Sequence, residues 1–191
     1  FPAQLRAALP GAEPIALDLP GNGELHERRS PASIAPMVAH CRAALGARGI
    51  APPYGLVGLS LGAMACVEWA ARHPGEIRGA VLINSSLRPF SPFHRRLRPR
   101  SYATILRLAL FERDVRAREA AILRLTSAGG GAEVLDAWTR IGRERPVSRA
   151  NVLRQLMAAA SYRAPRTPPQ VPLLVLMVGY TVGGLWLLFA S

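Results

Sequence analysis

Ser60 is the residue whose setting most clearly suggests chemistry. It lies at the centre of Gly58-Leu59-Ser60-Leu61-Gly62, which follows an apolar run from Tyr54 and flows into the helix-forming Ala63-Met64-Ala65-Cys66. A serine at the tip of a sharp strand-to-helix turn presents its hydroxyl above a sheet, ready to attack a carbonyl carbon. The backbone there must be strained. Glycines at 58 and 62 are expected to give it room, because side chains would meet the helix and the neighbouring strand. A hydroxyl is a weak nucleophile near neutral pH, so it needs a base within hydrogen-bond reach and an acid to orient that base. The chain offers His26, His40, His73 and His94. His73 falls at the far end of the helix that Ser60 would open, about 18 Å away at 1.5 Å per residue, and reads as a helix-end residue. His94, between Phe93 and Arg95, reads as a surface or packing residue; His26 and His40 belong to a loop and a helix before the serine. Asp114 and Asp136 lie among arginines in helical stretches, where surface ion pairs are expected.

The composition narrows the class. A chain of 191 residues, half of them hydrophobic, is long enough for one core-forming domain and is not a disordered chain. All 24 basic residues are arginine, and they are unevenly placed. Residues 1–87 carry 7 arginines against 6 acids, whereas residues 88–191 carry 17 against 6. The basic segment reads first as a solvated helix surface and second as a patch that draws anionic substrates or lipid headgroups. Nucleic acid is not an expected partner, since there is no recognition motif and little aromatic interleaving. Cys41 and Cys66 sit in apolar helical stretches and read as buried small hydrophobes, with a disulfide left open. No cysteine–histidine spacing suggests a metal, and no cofactor is expected.

Periodicity supplies the elements that would hold Ser60. Residues 1–9 read as a short amphipathic helix, and Pro14-Ile-Ala-Leu17 as a short buried strand running into the turn-rich Asp18-Leu-Pro-Gly-Asn-Gly23. Ile34, Met37, Val38, Cys41 and Leu45 recur at helical spacing. The strand ending at Ser60, a helix from Leu61 to about Arg72 and a buried strand Gly79–Ile83 come next. The helix after Ser60 is apolar nearly all round, with Glu68 and Arg72 able to pair on an exposed side. Alternating strands and helices imply an α/β fold with a doubly wound, mostly parallel sheet. Beyond Leu87 a proline- and arginine-rich connection leads to helical patterns at about 102–125, 132–141 and 148–161.

Three of these pieces together, Asp18–Gly23, Gly55–Gly62 and His73–Ile83, resemble the middle of an α/β-hydrolase. The resemblance implies that residues 1–87 are the core, with the family's fourth, fifth and sixth strands. It implies that 88–164 form a helical cap over Ser60, and that 165–191 hold a linker, a seventh strand and an apolar tail. It further implies Ser60 as nucleophile, the backbone N–H of Leu61 as an oxyanion donor, and a small ester or related acyl compound as substrate. The family's acid and histidine follow its seventh strand, and its second oxyanion donor follows its third. No residue of this sequence stands in those places, so an incomplete copy is expected, with a non-catalytic remnant as the alternative. Val171–Ala190 carries no charge and is long enough to span a bilayer. A cytoplasmic protein is the first expectation and attachment to a membrane through this tail the second.

Overall fold

A computed structural model of the chain describes residues 2–83, 87, 107, 111–126, 131–177 and 186–189. His94, Asn84-Ser85-Ser86 and most of the arginine-rich connection lie outside the described residues. A short helix α1 (Pro2–Ala8) opens the chain. Helix α2 (Ile34–Ala47) then buries Ile34, Met37, Val38, Cys41 and Leu45, the five residues that helical spacing places on one face. Strand β1 (Tyr54–Leu59), helix α3 (Leu61–Arg72) and strand β2 (Ile77–Ile83) follow. β1 and β2 run parallel, with Leu59 opposite Ile83, so α3 is the crossover between them.

Helix α3 is buried at every residue from Ala63 to Ala70. It packs on β1 and β2, on α2, and on a helix from the C-terminal half. That three-sided burial explains its all-round apolar sequence, and it corrects one expectation. Glu68 does not face solvent: it is buried close to Tyr162, while its ion-pair partner Arg72 is exposed. A buried carboxylate is tolerable because the guanidinium compensates it. Burial, and then the Glu68 carboxylate, push the Tyr162 hydroxyl above its ordinary range.

Strand β3 (Leu173–Met177) pairs parallel with β2, and β4 (Trp186–Phe189) pairs antiparallel with β3, in the order β1-β2-β3-β4. The uncharged stretch 171–190 is therefore not one membrane-spanning helix. The Pro172 carbonyl takes the N–H of Ala80, which starts a ladder with β2 that satisfies this backbone. No helix among the described residues is long and apolar enough to cross a membrane. Pro14–Leu17 also departs from expectation: it is not a strand, and Ile15 is 38% exposed. A strand needs a neighbour's ladder, and no described strand pairs with this segment or with the outer edge of β1.

Three helices come from the arginine-rich half: α4 (Val115–Thr126), α5 (Ala132–Glu144) and α6 (Arg149–Ser161). Asp114 stands just before α4 and not inside it, with its carboxylate accepting the Arg116 backbone N–H at 2.9 Å. α4 and α5 pack on each other; α6 docks on the core through Ala158 and the following Tyr162 and Ala164.

One polar plug fixes that docking. Asn151 is buried in the first turn of α6, where the Ser148 hydroxyl accepts its N–H at 3.2 Å. Its Oδ1 accepts the Ser30 N–H at 2.9 Å, and its Nδ2 donates to the Arg28 carbonyl at 2.9 Å and the His26 carbonyl at 3.4 Å. Gly21 must be glycine for this approach: its φ is +93°, and a Cβ would lie 2.8 Å from Asn151 Nδ2. An ion pair between Arg145 and Glu24 crosses the same seam at 2.5 Å.

A second polar contact closes the far end of α3. Arg42 donates to both carboxylate oxygens of Glu76, and the Trp69 indole N–H reaches Oε2 at 2.8 Å. The Arg42 hydrogen bond, against the opposing effect of burial, lowers the Glu76 carboxyl to about 2.

Two outcomes follow. Asn151→Ala leaves the Ser30 N–H and two carbonyls without their partner, and should lower the free energy of unfolding by about 2–4 kcal/mol in a urea titration. Glu76 has a folded-state pKa below its ordinary 4.5, so its contribution is complete above about 4.5 and fades as pH falls towards about 2. Glu76→Gln should therefore be less stable than wild type at neutral pH, with the gap closing through that acid window.

Candidate active site

Strand β1 ends at Leu59, Ser60 makes the turn, and α3 begins at Leu61. The turn is tight for a measurable reason. A Cβ on Gly58 would lie 2.5 Å from the Gly62 carbonyl carbon and 2.6 Å from the Ala63 nitrogen, so helix and strand close on a bare α-carbon. Gly62 differs from expectation. A Cβ there would meet nothing within 4 Å among the described residues, so the steric demand falls on Gly58 alone.

Ser60 has φ 50° and ψ −108°, the one non-glycine residue with positive φ among the described residues. Its backbone is pinned on both sides: its N–H donates to the Ile83 carbonyl at 3.0 Å, and its carbonyl accepts the Met64 N–H at 3.2 Å. This ties the turn to the end of β2 and to the first turn of α3. Most serines that start a helix spend the side chain on a cap. Ser60 does not: its side chain makes no cap hydrogen bond, and the residue is exposed. The N–H groups of Leu61, Gly62 and Ala63 have no partner among the backbone hydrogen bonds of the described residues. They sit at the positive end of the helix dipole, next to the free hydroxyl, where developing negative charge is favoured.

The other candidates are placed elsewhere. His26 is held at its own turn, its Nδ1 3.0 Å from the Gly23 carbonyl. His40 lies on α2, and His73 ends α3 with its N–H on the Trp69 carbonyl at 2.8 Å. Asp18 accepts the Glu24 N–H at 3.0 Å, and Asp136 pairs with Arg116. None of these side chains is hydrogen-bonded to Ser60. Cys41 and Cys66 are free and buried, with burial pushing their thiols up to about 11 and about 12. They are core residues and not reactive ones. No group of histidine, cysteine and carboxylate among the described residues could hold a metal ion.

Ser60, Leu59 and Val57 are exposed, and α6 does not cover them. Instead α6 sits on the flank of α3 and on the loop carrying Gly21 and Ser30. Asn151 was not singled out by sequence reasoning. Its signal was available: an asparagine three residues after a serine cap, directly before the apolar positions Val152, Leu153, Leu156 and Met157.

The family profile described as the alpha/beta hydrolase fold matches residues 1–117. The chain belongs to the α/β-hydrolase fold family. Solved structures similar to this α/β-hydrolase chain agree on the fold. They include an enol-lactonase from Burkholderia xenovorans (TM-score 0.63, 22% identity, covering 84% of this chain and 60% of that one). A hydrolase from Pseudomonas aeruginosa is similar with TM-score 0.61 and 20% identity, over 84% of this chain and 58% of its own. An esterase from Thermogutta terrifontis is similar with TM-score 0.58 and 20% identity, over 84% and 59%. This α/β-hydrolase chain thus spans 58–60% of the length of these three relatives. No curated protein sequence matches it.

The strain at Ser60 has a direct test. Glycine adopts positive φ without penalty, so Ser60→Gly should be more stable than Ser60→Ala by about 1 kcal/mol in denaturant unfolding, the reverse of the usual order. Gly58→Ala, by contrast, should be severely destabilising or unfolded in the same assay.

Proposed function

We propose that this chain carries the nucleophile of a serine hydrolase acting on esters or related acyl compounds, with Ser60 as the attacking residue. The observation that carries this reading is Ser60 itself: a strained serine, pinned by its backbone, whose hydroxyl makes no cap bond and stands beside helix N-terminal N–H groups that have no backbone partner among the described residues. In this reading Ser60 Oγ adds to the acyl carbonyl carbon, and the carbonyl oxygen becomes an oxyanion facing the Leu61 N–H. The Oγ proton passes to the departing alkoxide, which leaves as the alcohol when the carbonyl re-forms, so that the acyl group stays on Ser60 as an ester. Water then adds to that ester, releasing the carboxylic acid and restoring the Ser60 hydroxyl. Gly58 lets α3 come close enough to aim that N–H. We further propose residues 1–87 as the catalytic core and 88–164 as the cap segment.

The second reading is a non-catalytic member of the fold. What favours it is that no described histidine or carboxylate is hydrogen-bonded to Ser60, so none is in place to take the proton from Oγ.

Labelling of the folded chain with a serine-directed fluorophosphonate separates the two. The catalytic reading predicts covalent labelling of wild type at Ser60, seen by mass spectrometry of the peptide, and none in Ser60→Ala. Equal labelling of both proteins, or of neither, leaves only the non-catalytic reading.

A further inference from the structure

Helices α4 and α5 flank an open, solvent-facing cavity of about 360 Å³ lined by Arg116, Asp136, Thr139, Arg140, Arg143 and Glu144, of which only Thr139 is buried; it shares no residue with the Ser60 turn. Gly142 brings the helices together: a Cβ there would meet Val115 Cγ1 at 3.0 Å and Glu119 Oε1 at 3.2 Å. The pairing inside the cavity is incomplete. Asp136 lies four residues before Arg140, the favourable order for an intrahelical ion pair. It instead reaches across to Arg116 of α4. Thr139 is buried and donates its hydroxyl to the Leu135 carbonyl at 2.7 Å. Arg140 and Arg143, one turn apart, have no ion pair or hydrogen bond among the described residues, and the neighbouring Glu144 offsets only one of the two charges.

We propose that this cavity binds a phosphoryl group carried by a small soluble molecule. Two adjacent planar guanidiniums present donors only, in the fork geometry that suits a phosphate's oxygens. The cavity is open to solvent, so a phosphate ester's carbon atoms can extend outward while the anion meets the guanidiniums. The surrounding segment supports capture: residues 88–191 hold 17 arginines against 6 acids, a field that raises the local concentration of anions. The site stands whether or not Ser60 is catalytic.

Isothermal titration of the full chain with inorganic phosphate and with glycerol 3-phosphate, at matched ionic strength, tests it. Saturable one-site binding of both is expected. Arg140→Gln with Arg143→Gln should weaken it about tenfold or more, and Glu144→Gln should tighten it. Circular dichroism of these exposed variants should show an unchanged fold. Three results would overturn the proposal: no saturable binding, binding indifferent to the arginine substitutions, or arginine-dependent binding to phosphatidic-acid vesicles with none to either soluble phosphate.

Discussion

The governing constraint in this molecule is the approach of helix α3 to strand β1 at Gly58. With helix backbone atoms 2.5–2.6 Å from where a Cβ would stand, only a bare α-carbon allows the chain to reverse there. The reversal forces Ser60 to φ 50°, and the bonds to the Ile83 and Met64 backbones keep it there. The strain costs on the order of 1–3 kcal/mol. It is offset because α3 buries eight consecutive residues between the sheet, α2 and α6. Packing on three sides of one helix thus holds a single serine in an unfavourable conformation.

That dependence links distant parts of the sequence. α6 lies about ninety positions beyond the turn, yet its Ala158, with Tyr162 beyond its end, completes the burial of α3. Asn151 seats α6 on the loop at Ser30 by hydrogen bonds spanning 121–125 residues. At the opposite end of α3, the Arg42–Glu76–Trp69 cluster joins α2 to the turn before β2. Both polar clusters connect elements rather than decorate the surface. The arginine-rich half is accordingly more than a solvated shell, since it supplies one wall of the core.

Local patterns made much of this legible in the sequence. The five buried residues of α2 follow from their 3.6-residue spacing, and the turn at Ser60 from glycine, serine and an apolar run in the right order. What depended on partners was not legible. Pro14–Leu17 has a strand's composition, but a strand exists only with a ladder beside it. Residues 171–190 have the length and apolarity of a membrane span, yet Leu173–Met177 find β2, and Trp186–Phe189 pair back on them. Glu68 looks like a surface residue until Tyr162 packs against its helix. Gly62 fits the motif without a steric need among the described residues, which neither spacing nor composition reveals. Asn151 reads as a helix residue of no special kind because its partners are remote in sequence.

The account rests on Ser60 being an attacking group aimed by the helix that follows it. A crystal structure of the chain after treatment with an alkyl phosphonate ester tests this most directly. The account predicts a bond from Ser60 Oγ to phosphorus, with the phosphoryl oxygen about 2.7–3.1 Å from the Leu61 nitrogen. An unmodified Ser60, or an adduct whose oxygen points to solvent away from the α3 N-terminus, would contradict it.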